Sequence, residues 1–566
     1  MAIREFSPAG MQGSRRAKIA FVGQMPSGLE LRQFEIRKFK CEEWTVEKLS
    51  DLETVAQLDA VIWTQKPDKL IELPRQLKSV VRPLLNNDVR VYIRPASKRG
   101  ARKAVVDELR ENRIPPANLF PEEWRTLPPD LQEREGSNFM PCVFIFDANE
   151  AWPNIATIVC DRPSGPRPRL KLQFDTSSLV ERFGPDAHAE LILLLQRAFW
   201  NCSELSLCLL KGGLSGAAAC KAYATLEAGL VPTAPAGAYP HLYFIKIGPR
   251  KKIADEYDNY VGHFLEYVPF HLGPRLRLER CNLGSRYGIL VGDFVDATES
   301  LVACAREGRC GQAISNLFDR TLAGWRKQAL PDTQERTLSG LLAAKWQDER
   351  SDAQIALPPS RAEFVKALGG TTKIEWLKRT FDEYGASTPR CGPAHGDMHA
   401  TNVLVRHGDA IIIDFEKMQP YYPLTYDPAS LEGGLLVEGF TNDLKQRKGK
   451  RPVAPNELAE LLKPLYTLDA LLTRIDIPCQ RGSLVEWYFD CINQIRMRSW
   501  SGENPSGQYA LTLALCLIRK GCNEDDTFSN EQDILRAIAF YFGQSILREI
   551  ASRRGLKIQR KAGKER

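Results

Sequence analysis

The sequence lacks the cysteine patterns that identify metal-binding or disulfide-stapled proteins. Its 14 cysteines include no CxxC pair, and the closest pairs, such as Cys202 and Cys208, are six residues apart. That spacing suits neither a zinc site nor a disulfide framework. We therefore expect reduced and mostly buried thiols, as in cytosolic proteins.

Long hydrophobic runs are also missing. No uninterrupted apolar segment reaches the ~18–20 residues of a membrane-spanning helix, and the longest candidates, such as "YALTLALCLI" (509–518), predict buried helices. The N-terminal segment has no apolar region typical of a secretory signal. These features predict a cytoplasmic protein without membrane contact.

Charge of one sign is in only slight excess. The 77 Lys and Arg residues against 70 Asp and Glu give a net charge of +7. A nucleic-acid binder usually concentrates basic residues on one face, whereas the strongly basic tail here, residues 553–566, is typical of a solvated terminus. We do not expect a nucleic-acid partner. A mild positive charge suits anionic substrates such as nucleotides.

The length predicts several domains. A chain of 566 residues exceeds the ~250–300 residues that one hydrophobic core supports. Composition shifts predict an α/β domain over 1–161 and a linker rich in Pro, Gly and Arg over 162–171. They also predict a β-rich region over 172–296 and a mostly helical region over 297–566. The expected fold class is therefore multidomain, α/β followed by α+β.

The N-terminal region alternates predicted strands and helices, which indicates a parallel sheet with helices on both faces. Predicted strands are "KIAFVG", "CEEWTV", "LDAVIWTQ", "DVRVYIRP", "CVFIFDA" and "NIATIVCD". The spacing over the first hundred residues resembles that of response-regulator receiver domains, and an unrelated Rossmann-like domain fits the same pattern.

The acidic residues that a receiver uses are absent from this region. Receivers carry an acidic pair after the first strand, where this chain has Gly23 and Gln24, and a phospho-accepting Asp after the third, where it has Thr64 and Gln65. The resemblance therefore implies a module without a phospho-acceptor site, which would serve to bind a protein partner.

A glycine-rich hairpin is predicted within "LSLCLLKGGLSGAAACKAYATL" (205–226). Glycines let backbone N–H groups approach phosphates closely, so the candidates are Gly212, Gly213 and Gly216, with Ser215 adding a hydroxyl. An ordinary hairpin turn explains the same residues, because the motif is neither a Walker A loop nor a complete GxGxxG.

Lys246 lies inside the apolar predicted strand "YFIKIG". Burying an unpaired lysine is costly, so either the side chain faces outward or it pairs with an acid in the next helix, Asp255 or Glu256. Asp293, in the predicted strand and turn "YGILVGDFV", is a further cofactor-binding candidate.

A cluster of polar residues follows in "PAHGDMHATNVLV" (393–405) and "AIIIDFE". Phosphoryl transfer needs cations on the phosphates, ligands for those cations, and an acceptor for the nucleophile's proton. Asp397 and Asn402 lie at the two ends of one loop, and three isoleucines predict a buried strand that brings Asp414 to the same place.

These two segments closely resemble the catalytic and metal-binding loops of the aminoglycoside phosphotransferase/choline kinase-like group, within the protein-kinase-like superfamily, over about residues 205–440. The resemblance implies a bilobal kinase-like fold, with a β-rich N-lobe and a helical C-lobe, that binds ATP and Mg²⁺ and phosphorylates a hydroxyl-bearing acceptor. It implies these roles: Asp397 as the catalytic base, Asn402 and Asp414 as Mg²⁺ ligands, Lys246 with Glu256 as a phosphate clamp, His395 as a brace, and Asp427 as a structural residue.

The chain departs from that group in its glycine loop and in a long helical, polar segment over 300–390. Only 13 positions separate Asp414 from Asp427, too few for the activation segment of a regulated protein kinase. The earlier half of the region is similar to phosphotransferase-like effector domains of bacterial signalling and conflict proteins. The alternative function is an inactive kinase-like module that binds a nucleotide and acts as a scaffold.

Overall fold

The structure is a computed structural model of the chain. It describes all residues except 1–17, 51–54, 56, 65–80, 82–83, 85, 88, 96–100, 102, 106, 108–115, 119–142, 162–167, 211–215, 228–239, 285, 332–335, 349–352, 446–451, 474–475, 505, 525–527 and 554–566. The chain forms two compact units. The first comprises Met1–Tyr257 and Arg275–Phe294, and the second comprises Asp258–Pro274 and Val295–Arg566.

The first unit begins with a six-stranded parallel sheet in the order β2-β1-β3-β4-β6-β5. Its strands are β1 (Lys18–Val22), β2 (Lys40–Trp44), β3 (Leu58–Thr64), β4 (Arg90–Arg94), β5 (Pro116–Asn118) and β6 (Val143–Ile145). All seven residues of β3 are buried, as expected for a central strand covered on both faces. The predicted parallel sheet is confirmed, while the likeness to a receiver stays a prediction.

One face of this sheet is covered by two helices, α1 (Gly28–Glu35) and α2 (Trp152–Asp161). The strand predicted over "NIATIVCD" is wrong, because this segment forms most of α2. Its buried residues, Ile155, Ala156, Val159 and Cys160, recur at the spacing of one helix face. Short apolar runs do not distinguish strand from helix by composition.

The turn after β1 packs closely against the end of β3 at Gly23. Gly23 has φ +105°, and a Cβ there would lie 2.1 Å from the carbonyl oxygen of Thr64. Thr64 Oγ1 accepts a hydrogen bond from Gln24 N and lies 2.9 Å from Gln24 O. A carboxylate side chain at position 23 is therefore sterically excluded. Gln65 lies outside the described residues.

A five-stranded antiparallel sheet completes the first unit, in the order β10-β11-β9-β8-β7. Its strands are β7 (Cys202–Leu209), β8 (Ala218–Leu226), β9 (His241–Pro249), β10 (Asn282–Leu283) and β11 (Tyr287–Asp293). Helices α3 (Ser177–Phe183) and α4 (His188–Ala198) precede it, and α5 (Arg250–Asn259) follows β9. Leu191, Leu194 and Leu195 of α4 pack on one face in a core that includes Ile245 and Ile289.

Arg197, on α4, joins two parts of the first unit. Its side chain is buried, and Nη1 donates to the carbonyl oxygens of Asn86 and Leu283, each at 2.9 Å. The regions predicted as separate domains, 1–161 and 172–296, thus contribute to one compact unit. The boundaries at 161 and 171 stay predictions.

The second unit is mostly helical. Its short strands form two three-stranded sheets. One has the order β12 (Glu299–Ser300), β15 (Val403–Arg406), β16 (Asp409–Ile412), and the other has the order β13 (Leu330–Pro331), β14 (Arg390–Ala394), β17 (Gln419–Pro423). Its helices are α6 (Leu301–Arg306), α7 (Cys310–Asn316), α8 (Ala323–Lys327), α9 (Leu338–Leu341), α10 (Pro359–Ala367), α11 (Ile374–Tyr384), α12 (Tyr426–Gly439), α13 (Thr441–Leu444), α14 (Pro455–Leu462), α15 (Leu468–Leu472), α16 (Glu486–Ser499), α17 (Gln508–Cys522) and α18 (Asn530–Ser552).

Helices α17 and α18 pack closely against each other in the core of this unit. A Cβ on Gly543 would lie 2.7 Å from the carbonyl oxygen of Ala514, so only glycine permits this approach. The predicted buried helix over "YALTLALCLI" is confirmed, since every residue of that segment is buried. Within the described ranges, no helix combines the length and apolar character that crossing a membrane requires.

Candidate active site

A buried carboxylate binds the backbone of the loop that follows β14. Asp427, at the start of α12, accepts hydrogen bonds from the backbone N–H groups of His395 (2.7 Å) and Gly396 (3.0 Å). Gly396 has φ +77°, and a Cβ there would lie 2.0 Å from Lys417 O. The loop therefore turns sharply at Gly396, and Asp427 has the structural position that the family resemblance implies.

The backbone of Ile413 connects the two polar segments. Its N–H donates to the carbonyl oxygen of Asn402 (3.0 Å), and its own carbonyl oxygen accepts from His395 Nε2 (2.9 Å). Asn402 Nδ2 in turn donates to the carbonyl oxygen of Asp397 (3.0 Å). The hairpin of β15 and β16 thus brings Asp397, Asn402 and the residue before Asp414 into one hydrogen-bonded arrangement.

Asp414 has an unusual backbone conformation, with φ +69°. Asp adopts left-handed φ values more readily than most residues, and such conformations persist where the surroundings over-determine them, often at functional sites. The backbone of Asp414 is constrained through the next residue, Phe415. The ring of Phe415 lies 4.4 Å from that of Phe264, and Asn259 Nδ2 donates to Phe415 O at 2.9 Å. Asp414 is thereby presented, half-buried, beside the hairpin.

The carboxylate of Asp397 is accessible, with 51% of the side chain exposed. Partial desolvation raises its pKa, but the nearby cations Lys520, His399, His395 and Lys345 outweigh that effect and hold the pKa below its usual value of 3.8. Asp397 is therefore ionised at neutral pH and can accept a proton.

His399 links the loop to helix α12. Its Nε2 lies 3.9 Å from Asp397 Oδ2, and its Nδ1 lies 3.0 Å from Glu438 Oε1. A Cβ on Gly434 would lie 2.7 Å from the Cβ of His399, so the helix can approach the loop only because position 434 is glycine.

The first unit contains the other predicted residues. Lys246 Nζ lies 2.6 Å from Glu256 Oε2, and both side chains are buried. This makes Glu256, which the resemblance favoured over Asp255, a partner of Lys246. The pair is the buried, compensated arrangement that a lysine inside an apolar strand requires.

The remaining candidates of the first unit are only partly described. Asp293 Oδ1 accepts from Arg277 Nε at 2.7 Å, so this carboxylate is engaged in an ion pair. Gly216 is exposed, with φ +73°, and an added Cβ would contact nothing. Gly212, Gly213 and Ser215 lie outside the described residues, and their proposed contact with phosphates stays a prediction.

Several contributors to the site were not predicted from the sequence. They are Asn259, Phe264 and Ile413, which constrain Asp414, and Lys345 and Lys520, which act on Asp397. Asn259 lies three residues after Glu256 in the sequence, and nothing in its neighbours indicates its role. Lys520 is 123 residues from Asp397 in sequence, and only the folded chain brings them together.

The residues present suit a divalent cation. Asn402 Nδ2 donates a hydrogen bond to the carbonyl oxygen of Asp397, so Oδ1 is the atom of this amide that could bind a metal ion. Carboxylate and amide oxygens are typical ligands of Mg²⁺, which usually combines one or two protein ligands with substrate phosphates. Asp414 and Asn402 fit that requirement.

No protein-family model and no curated protein matches the chain. Among solved structures, an amicoumacin kinase in complex with AMP-PNP, Ca²⁺ and Ami has 12% identity and a TM-score of 0.33, over 66% of this chain and 96% of that one.

Two further solved structures show similar values. A thermostable mutant of aminoglycoside phosphotransferase APH(4)-Ia, in complex with AMP-PNP and hygromycin B, has 11% identity and a TM-score of 0.32, over 61% and 93% of the two chains. A glucosamine kinase has 12% identity and a TM-score of 0.33, over 62% and 94%. These TM-scores are too low to carry an argument about the fold or the function of this chain.

Proposed function

We propose that this protein has a kinase-like fold and is an ATP- and Mg²⁺-dependent phosphotransferase that phosphorylates a hydroxyl group. The observation that carries the proposal is the backbone of Ile413, which bonds to both Asn402 and His395. These bonds, with that of Asn402 to Asp397, hold together the segments that carry Asp397, Asn402 and Asp414. Phosphoryl transfer depends mainly on such positioning.

Each residue of the proposed site has a separate task. Lys246, oriented by Glu256, binds phosphate oxygens, and Asp414 and Asn402 hold Mg²⁺, which neutralises charge on the phosphates when bound. Asp397 orients the acceptor hydroxyl and receives its proton. The acceptor oxygen bonds to the γ-phosphorus, the bond from that phosphorus to the bridging oxygen breaks, and ADP leaves with that electron pair.

The first test is nucleotide binding by the full chain. Millimolar Mg-ATP should raise the melting temperature, because a ligand that binds only the native state stabilises it by mass action. Lys246→Ala should reduce that shift, whereas Lys366→Ala, which changes an exposed lysine on α10, should not. A wild-type melting temperature that does not respond to Mg-ATP would contradict the proposal.

A second test separates the proton acceptor from the metal ligand. Asp414→Ala should lose the Mg²⁺-dependent part of the ATP-induced shift. Asp397→Ala should retain the shift and lose turnover, because the base acts on the acceptor. Equal loss of binding in both variants would contradict these roles. Binding without turnover in the wild type would instead favour the scaffold function.

A further inference from the structure

Basic side chains from two separate segments lie near Asp397. Lys345 belongs to the 3₁₀ helix Ala343–Trp346, and Arg519 and Lys520 are consecutive residues near the end of α17. Arg519 Nη1 donates to Lys345 O at 2.7 Å. The two segments that carry these basic residues are therefore joined directly.

Helix α12 borders both the loop that contains Asp397 and this basic cluster, which consists of Lys345, Arg519 and Lys520. Lys345 Nζ lies 5.1 Å from the ring centre of Tyr426, the residue before the loop-holding Asp427. A Cβ on Gly433 would lie 3.8 Å from Lys520 Cγ, and the neighbouring Gly434 contacts His399. Lys520 and His399 therefore lie beside two consecutive residues of α12, Gly433 and Gly434.

The field of these cations reaches the Asp397 carboxylate. Lys520 is the strongest of the positive charges that lower its pKa, and Lys345 also contributes. In the described part of the chain, no carboxylate lies within 4.0 Å of Lys520 Nζ. The nearby carboxylate of Glu438 contacts His399 Nδ1 through its Oε1, at 3.0 Å. The surroundings of Asp397 would therefore repel a cationic acceptor and attract an anionic one.

We propose that the acceptor is a small hydroxyl-bearing metabolite with an anionic group, which Lys345 and Lys520 bind while Asp397 receives the hydroxyl proton. This inference rests on the proposed phosphotransferase function and narrows its substrate class. Lysine suits the task because its ammonium group is a compact charge that binds phosphate or carboxylate oxygens without a fixed planar geometry.

The test is a transfer assay with the full chain, Mg²⁺ and ATP labelled on the γ-phosphate. The probes are matched alcohols that differ in charge, including glucose 6-phosphate, gluconate, glucose and glucosamine, within a metabolite library sorted by charge. Label should enter anionic members only. Label in neutral or cationic members overturns the inference, as does hydrolysis of ATP without labelling of any anionic member.

Variants then test the two lysines on the labelled acceptor. Lys520→Gln and Lys345→Gln should each raise the KM for that acceptor about tenfold, the effect of losing one charged hydrogen bond. Lys366→Gln removes the same charge from an exposed position on α10 and should leave the KM unchanged. A larger change in the KM for ATP than in that for the acceptor overturns the inference, because the lysines would then serve the nucleotide.

Failure of the underlying function is a distinct outcome. A chain that neither hydrolyses ATP nor gains stability from Mg-ATP refutes the phosphotransferase itself, and this inference with it. A chain that binds and turns over ATP but prefers neutral or cationic alcohols refutes only the inference about charge.

Discussion

Glu432 and Arg496 form a two-point ion pair in the interior of the second unit. Arg496 Nη2 lies 2.6 Å from Glu432 Oε1, and Nε lies 3.1 Å from Oε2. The side chain of Glu432 is 0% exposed and that of Arg496 is 1% exposed. Tyr509 Oη also donates to Glu432 Oε2, and Arg496 Nη1 donates to Leu465 O. Burial alone would lower the pKa of Arg496, but Glu432 raises it.

Removal of one partner of this pair should be far more harmful than replacement of both. Glu432→Ala leaves a buried guanidinium uncompensated and should cost about 3–5 kcal/mol of stability. The double variant Glu432→Leu/Arg496→Met should lose less than the single variant, because both charges are gone. Urea unfolding followed by tryptophan fluorescence measures the difference. Additive losses would show that the two residues are not coupled.

The carboxylate of Asp427 should be essential for the fold of the catalytic loop. Asp427→Ala leaves the N–H groups of His395 and Gly396 without their acceptor, at about 1–3 kcal/mol each. Asp427→Asn keeps one acceptor oxygen and should cost roughly half as much. Urea midpoints and transfer activity measure both effects. Full activity in the Ala variant would show that the loop is held by other contacts.

Buried thiols should be unreactive in the native protein. Burial raises the pKa of Cys281, Cys516 and Cys522 to about 12, so at pH 8 these groups remain protonated and are poor nucleophiles. Cys208 is the exposed cysteine among those described. Iodoacetamide at pH 8 should label Cys208 first, and the three buried thiols only after denaturation. Mass spectrometry of peptides gives the order, and early labelling of Cys516 would contradict the packing of α17.

The N-terminal parallel sheet should not accept a phosphoryl group. Gly23 and Thr64 occupy the positions where receivers have carboxylates, and Asp59 is fully buried in β3. Incubation with acetyl phosphate and Mg²⁺ should leave the intact mass of the chain unchanged. A stable gain of one phosphoryl group on this region would show that another carboxylate serves as acceptor.

The Pro- and Arg-rich stretch "RPSGPRPR" (162–169) should be the first site of limited digestion by a protease of broad specificity, such as proteinase K, because trypsin does not cut the Arg–Pro bonds within it. Such stretches carry few contacts and commonly join domains. Mass spectrometry of the early fragments identifies the cut. Early cleavage elsewhere, with this stretch protected, would show that the stretch is packed and does not act as a linker within the first unit.

The sequence predicts the elements whose pattern is local. Buried strands such as β1 and β3 and the hairpin of β15 and β16 follow from short apolar runs with turn residues beside them. The segment of helix α2 predicts a strand because a short apolar run fits both the two-residue period of a strand and the 3.6-residue period of a helix. Only packing decides between the two.

The candidate site was predictable to the extent that its residues are close in sequence. Asp397, Asn402 and Asp414 lie within 18 positions, so the sequence predicts that they come close together, while their roles stay a prediction from the family resemblance. The basic cluster was not predictable, because Lys345 and Lys520 come from segments 52 positions before and 123 positions after Asp397. Charges that meet only through tertiary packing leave no motif.

The two backbone bonds of Ile413 also determine how the site can move. One peptide segment is tied to Asn402 on one side and to His395 on the other, so the loop with Asp397 and the turn with Asp414 cannot shift independently. A substitution that breaks either bond is therefore expected to displace both segments together.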